Sequence, residues 1–290
     1  MSCCPSGALG AAPENKSRVA SGTTIIIEHG QNTELNISCY MTGTPLTENP
    51  DRIIVLYSDV FGPDPGLQKQ HAETLAERLT CEGKHSVTVL SPDLFRGQPP
   101  VQYSPMLPEW AGFTLTLPMT IYRLKYKFKP DLIVDRDIAQ ILLPFIEKET
   151  GKKLEDLNLA CCGFCYGGWL AARTLSLPGS SFRCGVGMHP SFKVEMFHGS
   201  TELECAKRIG TKPMLLMPTK QESAAYKCGG EIVRTLAEAR NVAEDEVFLE
   251  FPTMDHGFVN RGDTSIPEIK ENQEKALSAC IEFILKYCPL

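Results

Sequence analysis

The sequence predicts an α/β protein with a mostly parallel central sheet and helices on both faces, and three observations carry that expectation. Short apolar runs of strand length alternate with stretches of helical periodicity, which demands a parallel sheet covered on both sides. Arg52-Ile53-Ile54-Val55-Leu56-Tyr57 is continuously apolar after its first residue, as a strand buried on both faces must be. Leu157 to Ala172, reading LNLACCGFCYGGWLAA, passes from an apolar run to a helical one through Gly163-Phe164-Cys165-Tyr166-Gly167-Gly168, with no linker.

Taken in order, residues 1–22 are small and polar and read as a flexible arm. Thr23 to Glu28 and Leu35 to Met41 are β-rich runs around His29-Gly30-Gln31-Asn32, consistent with a hairpin. The strand Arg52–Tyr57 ends in Ser58-Asp59-Val60-Phe61-Gly62. A helix from about Gly66 to Cys81 follows, with Leu67, His71, Leu75 and Leu79 at helical spacing. Ser86 to Leu90 is the next strand. Residues 98–130 are rich in proline and aromatics with poor periodicity, and read as an insertion folding over the sheet as a lid. Asp131 to Thr150 is strongly helical. Beyond the glycine-rich turn, Arg183–Met188, Met214–Met217 and Val247–Phe251 read as strands, and Ile232–Asn241 and Pro267–Tyr287 as helices. No internal repeat or linker divides residues 23–290, so one domain is expected.

The chemistry centres on Cys165. A residue at a turn from strand to helix is held in strained backbone geometry, and glycines two positions before and after it leave room for the bend. Its side chain is expected to be exposed, at the positive end of the new helix, where a thiolate is favoured. Free cysteine is also among the most buried residue types, and that packing role suits Cys161 and Cys162, inside the strand. A packing cysteine at 165 would not require three neighbouring glycines. His256, in a turn just past the last strand, is placed to act as its base. His189 ends a strand and can line the pocket, but it precedes the expected acid. The order nucleophile first, histidine last is that of the α/β-hydrolases.

Composition narrows the classes. Hydrophobic residues make up 42% of the 290 and the net charge is −6, arguing for a well-filled core and against nucleic acid or an anionic membrane as partner. No apolar run has membrane-spanning length and no signal-peptide core stands at the N-terminus. Twelve cysteines, several adjacent within apolar stretches, fit reduced thiols in the cytoplasm better than a disulfide framework.

Asp59-Val60-Phe61-Gly62, Pro92-Asp93-Leu94-Phe95-Arg96-Gly97, Gly163-Phe164-Cys165-Tyr166-Gly167-Gly168 and His256-Gly257-Phe258 together resemble the dienelactone hydrolase (carboxymethylenebutenolidase) family, in its eukaryotic form. The resemblance runs from about Thr23 to the C-terminus. It implies an α/β-hydrolase fold, no metal or other cofactor, and a cysteine nucleophile acting on a small-molecule ester or lactone. It makes Cys165 the nucleophile and His256 the base, and assigns the oxyanion to the backbone N–H groups of Tyr166 and Val60. Asp59 stands where relatives carry a glutamate that contacts the resting cysteine. Arg96 resembles, with a one-residue offset, an arginine that binds the substrate carboxylate. A second such arginine falls at Asn260, with Arg261 beside it. The family's triad aspartate aligns with Gln221, while Glu222 reaches the same place if the loop shifts by one residue; Glu222 is expected ahead of Gln221. Two functions follow as expectations: a hydrolase working through a thioester acyl-enzyme, or an impaired relative that binds a ligand or partner without turnover.

Overall fold

The computed structural model describes residues 21–80, 84–101 and 117–290. Seven strands form one sheet: β1 (Thr23–Ile27), β2 (Ile37–Gly43), β3 (Arg52–Tyr57), β4 (Val87–Pro92), β5 (Leu159–Phe164), β6 (Phe182–Met188) and β7 (Met214–Met217), in the order β1-β2-β4-β3-β5-β6-β7. The first two pair antiparallel with each other and β2 antiparallel with β4; every pairing from β4 to β7 is parallel. This is the α/β-hydrolase arrangement. Of the expected N-terminal arm only Ser21 and Gly22 are described, and residues 102–116 of the expected lid lie outside the described residues.

The central strand shows how the layers form. All six residues of β3 are buried. Ile53, Val55 and Tyr57 face a layer that includes Ile138, Ile146 and Trp169. Ile54 and Leu56 face the opposite layer, with Leu75 and Leu79 of α1 (Gln68–Leu79) and Ile281 and Ile284 of the closing helix Pro267–Tyr287. Each such side chain contributes about 1.5–3 kcal/mol by leaving water. Parallel strands end together, so the loops after β3, β4, β5, β6 and β7 crowd one edge, and that edge holds every candidate residue.

Three elements differ from the reading of the sequence. Asp131–Leu142 is helical but wound as a π-helix before α2 (Leu143–Thr150). Pro144 has no N–H to offer the carbonyl four residues back and its ring crowds that turn, so the chain upstream runs wider. The expected strand Val247–Phe251 is reduced to two bridges, Leu216 to Phe248 and Thr219 to Phe251. Pro218 lies between those bridges and lacks the N–H that a continuous ladder needs. The helix Glu202–Ile209 escaped the periodicity reading although a capping box marks its start, with the Thr201 side chain taking the N–H of Glu204 and the Glu204 carboxylate taking that of Thr201.

At the end of β5 the chain turns into α3 (Tyr166–Leu175) with Cys165 as N-cap at φ 54° and ψ −110°. A side chain at positive φ costs about 1–3 kcal/mol, and it persists because the surroundings over-determine it. Cys165 N–H donates to Met188 O at 3.0 Å, and Cys165 O accepts from Ser191 N–H at 3.0 Å and from Gly168 N–H at 3.1 Å. A Cβ on Gly163 would stand 2.3 Å from the Gly167 carbonyl carbon, and one on Gly167 would stand 2.3 Å from Tyr57 O. Helix and strands therefore meet backbone to backbone. Gly163→Ala is expected to lower stability by about 3 kcal/mol, read as a fall in the urea midpoint. An unchanged midpoint would show that the elbow has slack.

Candidate active site

His256 is held in a turn that four neighbours fix. Gly257 takes φ 91°, Phe258 N–H donates to Asp255 O at 3.1 Å, and Lys220 N–H donates to Met254 O at 3.3 Å. Gln221 Oε1 accepts from His256 N–H at 2.7 Å. The ring's Nδ1 lies 2.5 Å from Glu222 Oε1. The other carboxylate oxygen, Oε2, accepts from Thr219 N–H at 2.5 Å and Thr219 Oγ1 at 2.6 Å. Glu222 thus occupies the position expected of the acid. Gln221 touches the histidine only at its backbone, and its amide donates to Asp255 Oδ1 at 2.6 Å. The one-residue shift has a simple cause: the longer stem of glutamate reaches from the next position while folding back on Thr219.

The pair is strongly polarised. Burial works against charge on Glu222, yet the hydrogen bond and charge of His256 and the Thr219 donors pull it down to about 2. Burial also opposes charge on His256. The Cys165 thiolate outweighs it first and Glu222 second, so the imidazolium titrates well above its ordinary value. Nε2 has no partner at hydrogen-bonding geometry among the described residues, so the pairing with Cys165 is carried by charge more than by a formed bond. Cys165 itself is 3% exposed, against the expectation of an exposed thiol. Ser191 Oγ stands 3.4 Å from its sulfur and helps to cover it.

Asp59, 2% exposed, lies on the other side. Its Oδ1 accepts from Phe61 N–H at 2.9 Å and its Oδ2 from Asn260 Nδ2 at 3.0 Å. Burial pushes its carboxyl up to about 6; Arg261 opposes this and the charge of Cys165 adds to it. Asn260 and Arg261 arrive from the short helix Phe258–Arg261, which is tied to α1 by Leu67 N–H on Asn260 O at 2.8 Å and His71 Nε2 beside Val259 O at 2.7 Å. The Arg261 guanidinium stacks 4.0 Å from the Phe61 ring centre. Tyr166 opens α3, where its N–H has no intrahelical carbonyl to meet, and Val60 follows Asp59 in the loop after β3.

Arg96 is bound into the fold. Its guanidinium forks onto Asp137, with Nη1 at 2.8 Å and Nη2 at 3.0 Å, and Nη2 also donates to Leu35 O at 2.9 Å. Asp137 is completely buried and needs that charge, so Arg96 is engaged in the fold. His189 was undervalued from sequence. It is fully buried, its ring stands edge-on to His256 with centres 4.8 Å apart, and neither ring nitrogen has a partner among the described residues. Burial and then the charge on His256 push it down to about 3, so it forms a neutral wall behind the charged imidazole. A histidine directly after an apolar strand and before a proline was the available signal.

Two outcomes test these assignments. Below about pH 4 Asp59 is protonated folded or unfolded; above about pH 6 it is charged in both, and burial disfavours that charge only in the fold. Stability from this residue is therefore lost as pH rises from about 4 to 6. Asp59→Asn is expected to be more stable than wild type at about pH 8 and equal to it at about pH 4, in urea melts across that range. The Asn260 amide, whose Oδ1 has no partner, can turn over to accept the new donor. Arg96→Leu should cost on the order of 2 kcal/mol by leaving Asp137 with Arg136 alone, while KM for p-nitrophenyl esters stays unchanged. A raised KM at unchanged stability would return Arg96 to the substrate.

Several solved structures share the fold. An acylaminoacyl peptidase from Pyrococcus horikoshii superposes at a TM-score of 0.57 with 14% identity, covering 95% of this chain and 43% of its own. The chain thus spans less than half the length of that peptidase. An esterase from Pyrococcus furiosus gives 0.53 at 14% identity, covering 92% of this chain and 91% of its own. Esterase 2 from Thermogutta terrifontis gives 0.52 at 14% identity, with 93% and 96% covered. At such identity these likenesses speak for the fold alone. No curated protein matches the chain. The dienelactone hydrolase family matches residues 39–288, and the chain belongs to that family.

Proposed function

We propose that this protein is a cysteine-dependent hydrolase of small ester or lactone substrates, working through a thioester acyl-enzyme. The observation that carries the reading is the chain of contacts Glu222–His256–Cys165, in which a buried carboxylate grips Nδ1 and Nε2 is left toward the thiol. Glu222 supplies charge to stabilise the imidazolium, which an amide at Gln221 would not. That contact removes the main ground for a relative without turnover, which was the absence of an acid at 221.

The steps follow from these positions. The Cys165 thiolate attacks the carbonyl carbon, and the oxyanion that forms is received by the N–H groups of Tyr166 and Val60. His256 gives the proton at Nε2 to the departing alkoxide, leaving the acyl group on sulfur. Water then loses a proton to Nε2 and attacks the thioester, and the carbon–sulfur bond breaks to return the thiolate. Asp59, pushed up to about 6, is close enough to Cys165 for the two to disfavour each other's charge. Its part is to raise the cost of negative charge on the resting sulfur, while the thiol's proton passes to His256. Arg261, beside Asp59, receives an anionic group on the substrate.

Intact-mass spectrometry after mixing with activated esters and lactones tests the class. One acyl adduct is expected on the wild type and none on Cys165→Ala. Glu222→Gln should lower turnover on the order of a hundredfold. An adduct that survives in Cys165→Ala, or full turnover in Glu222→Gln, would overturn the assignment.

A further inference from the structure

His189, Pro190 and Ser191 leave the end of β6 and cross over the start of α3 in a path with little freedom. His189 takes φ 40°, an uncommon setting for a bulky residue, and its N–H donates to Met217 O at 2.9 Å. Pro190 packs where Gly168 and Gly187 have no side chains: a Cβ on either would come within 2.9 and 3.1 Å of the proline's own Cβ. Ser191 N–H then donates to Cys165 O, and Ser191 O accepts from Val194 N–H at 3.2 Å. Both flanks of Ser191 are tied, one of them to the elbow residue itself. The hydroxyl, on a residue 8% exposed, is left 3.4 Å from Cys165 Sγ, its one hydrogen-bond contact among the described residues.

The direction of that contact follows from the state of the sulfur. A thiolate has no proton to give and lone pairs to offer, so beside it the serine must donate. We propose that Ser191 is a further catalytic residue, donating its hydroxyl proton in a hydrogen bond to Cys165 Sγ whenever that atom carries negative charge. The proposal rests on the reading of Cys165 as nucleophile. Sulfur is negative twice in the cycle: at rest, and again as the leaving group when the acyl-enzyme breaks down. In that second step water's oxygen bonds to the thioester carbon and one of its protons passes to His256 Nε2. The carbon–sulfur bond then breaks with its electron pair staying on sulfur, and the product leaves as the acid. The serine's proton stays on its oxygen throughout.

A donor to sulfur has opposite effects on the two halves of the reaction. It stabilises the attacking thiolate, which makes attack slightly less favourable, and it stabilises the departing one, which speeds release. Between these events the thioester sulfur is a poor acceptor, so the bond is strongest at the two moments when charge is present. Its loss therefore falls on deacylation and on the acidity of the resting thiol.

The experiment compares Ser191→Ala, Ser191→Thr and Ser191→Val with wild type and Cys165→Ala, using p-nitrophenyl acetate and iodoacetamide as probes. Thr and Val have the same shape and differ in the hydroxyl, so a packing effect moves both alike. With Ala and Val, kcat and KM should fall together by about tenfold, leaving kcat/KM little changed, and acyl-enzyme should accumulate in intact-mass spectra at steady state. The pH midpoint of Cys165 alkylation should rise by about one pH unit in both. Thr should resemble wild type on each measure. Equal behaviour of Thr and Val, or an alkylation midpoint unmoved in Ala, overturns the role of Ser191 while a dead Cys165→Ala leaves the nucleophile standing. Turnover persisting in Cys165→Ala removes the nucleophile and this proposal with it.

Discussion

Everything at the functional edge depends on the strained turn at Cys165. One residue is forced to positive φ so that its side chain leaves the sheet edge while its backbone joins β5 to α3. The strain is carried by a hydrogen bond from Cys165 N–H to Met188 O, by those from Gly168 and Ser191 N–H to Cys165 O, and by a helix that reaches the sheet without intervening side chains at Gly163 and Gly167. Further along, α3 is clamped by the buried Glu195, which takes Trp169 Nε1 at 2.7 Å and forks with Arg173. Arg208, from the next helix, adds a contact at 2.7 Å. A helix anchored at both ends cannot relax the turn that begins it.

The same burial acts on every titratable group near that turn, and what differs is the partner. With burial the largest influence on each, Asp59 and His189 both move toward neutrality, one up to about 6 and the other down to about 3. Glu222 and His256 face each other and both stay charged. The thiols follow suit: burial pushes Cys161 and Cys205 up far beyond the usual thiol range, and the cations near them do not offset it. Charge is concentrated along one line of contacts because all others are made too costly.

The central strands, the elbow and the histidine turn were legible because local patterns dictate them: a continuous apolar run, glycines around one residue, a polar turn after a strand. The acid was legible in part, since chain order marked the loop but only the fold decides which of Gln221 and Glu222 turns inward. The ion pair of Arg96 was not legible, because a motif fixes position along the chain and says nothing of Asp137, a residue 41 positions away. Ser191 was invisible for the same reason. Its place beside Cys165 depends on Pro190 meeting two glycines from different elements.

The spread of these contacts along the chain orders events during synthesis. Asp59 and Asn260 are 201 residues apart, and Arg52 bonds to the carbonyl of Cys288 across 236. Partners so distant close late, after the elements between them have been made. Cys165 leaves the ribosome well ahead of Glu222, His256 and Asn260, so in the growing chain it is an ordinary thiol with nothing to draw off its proton. Under the proposed chemistry the thiol of the nascent chain lacks the partners that direct it at esters until Glu222 and His256 have been added.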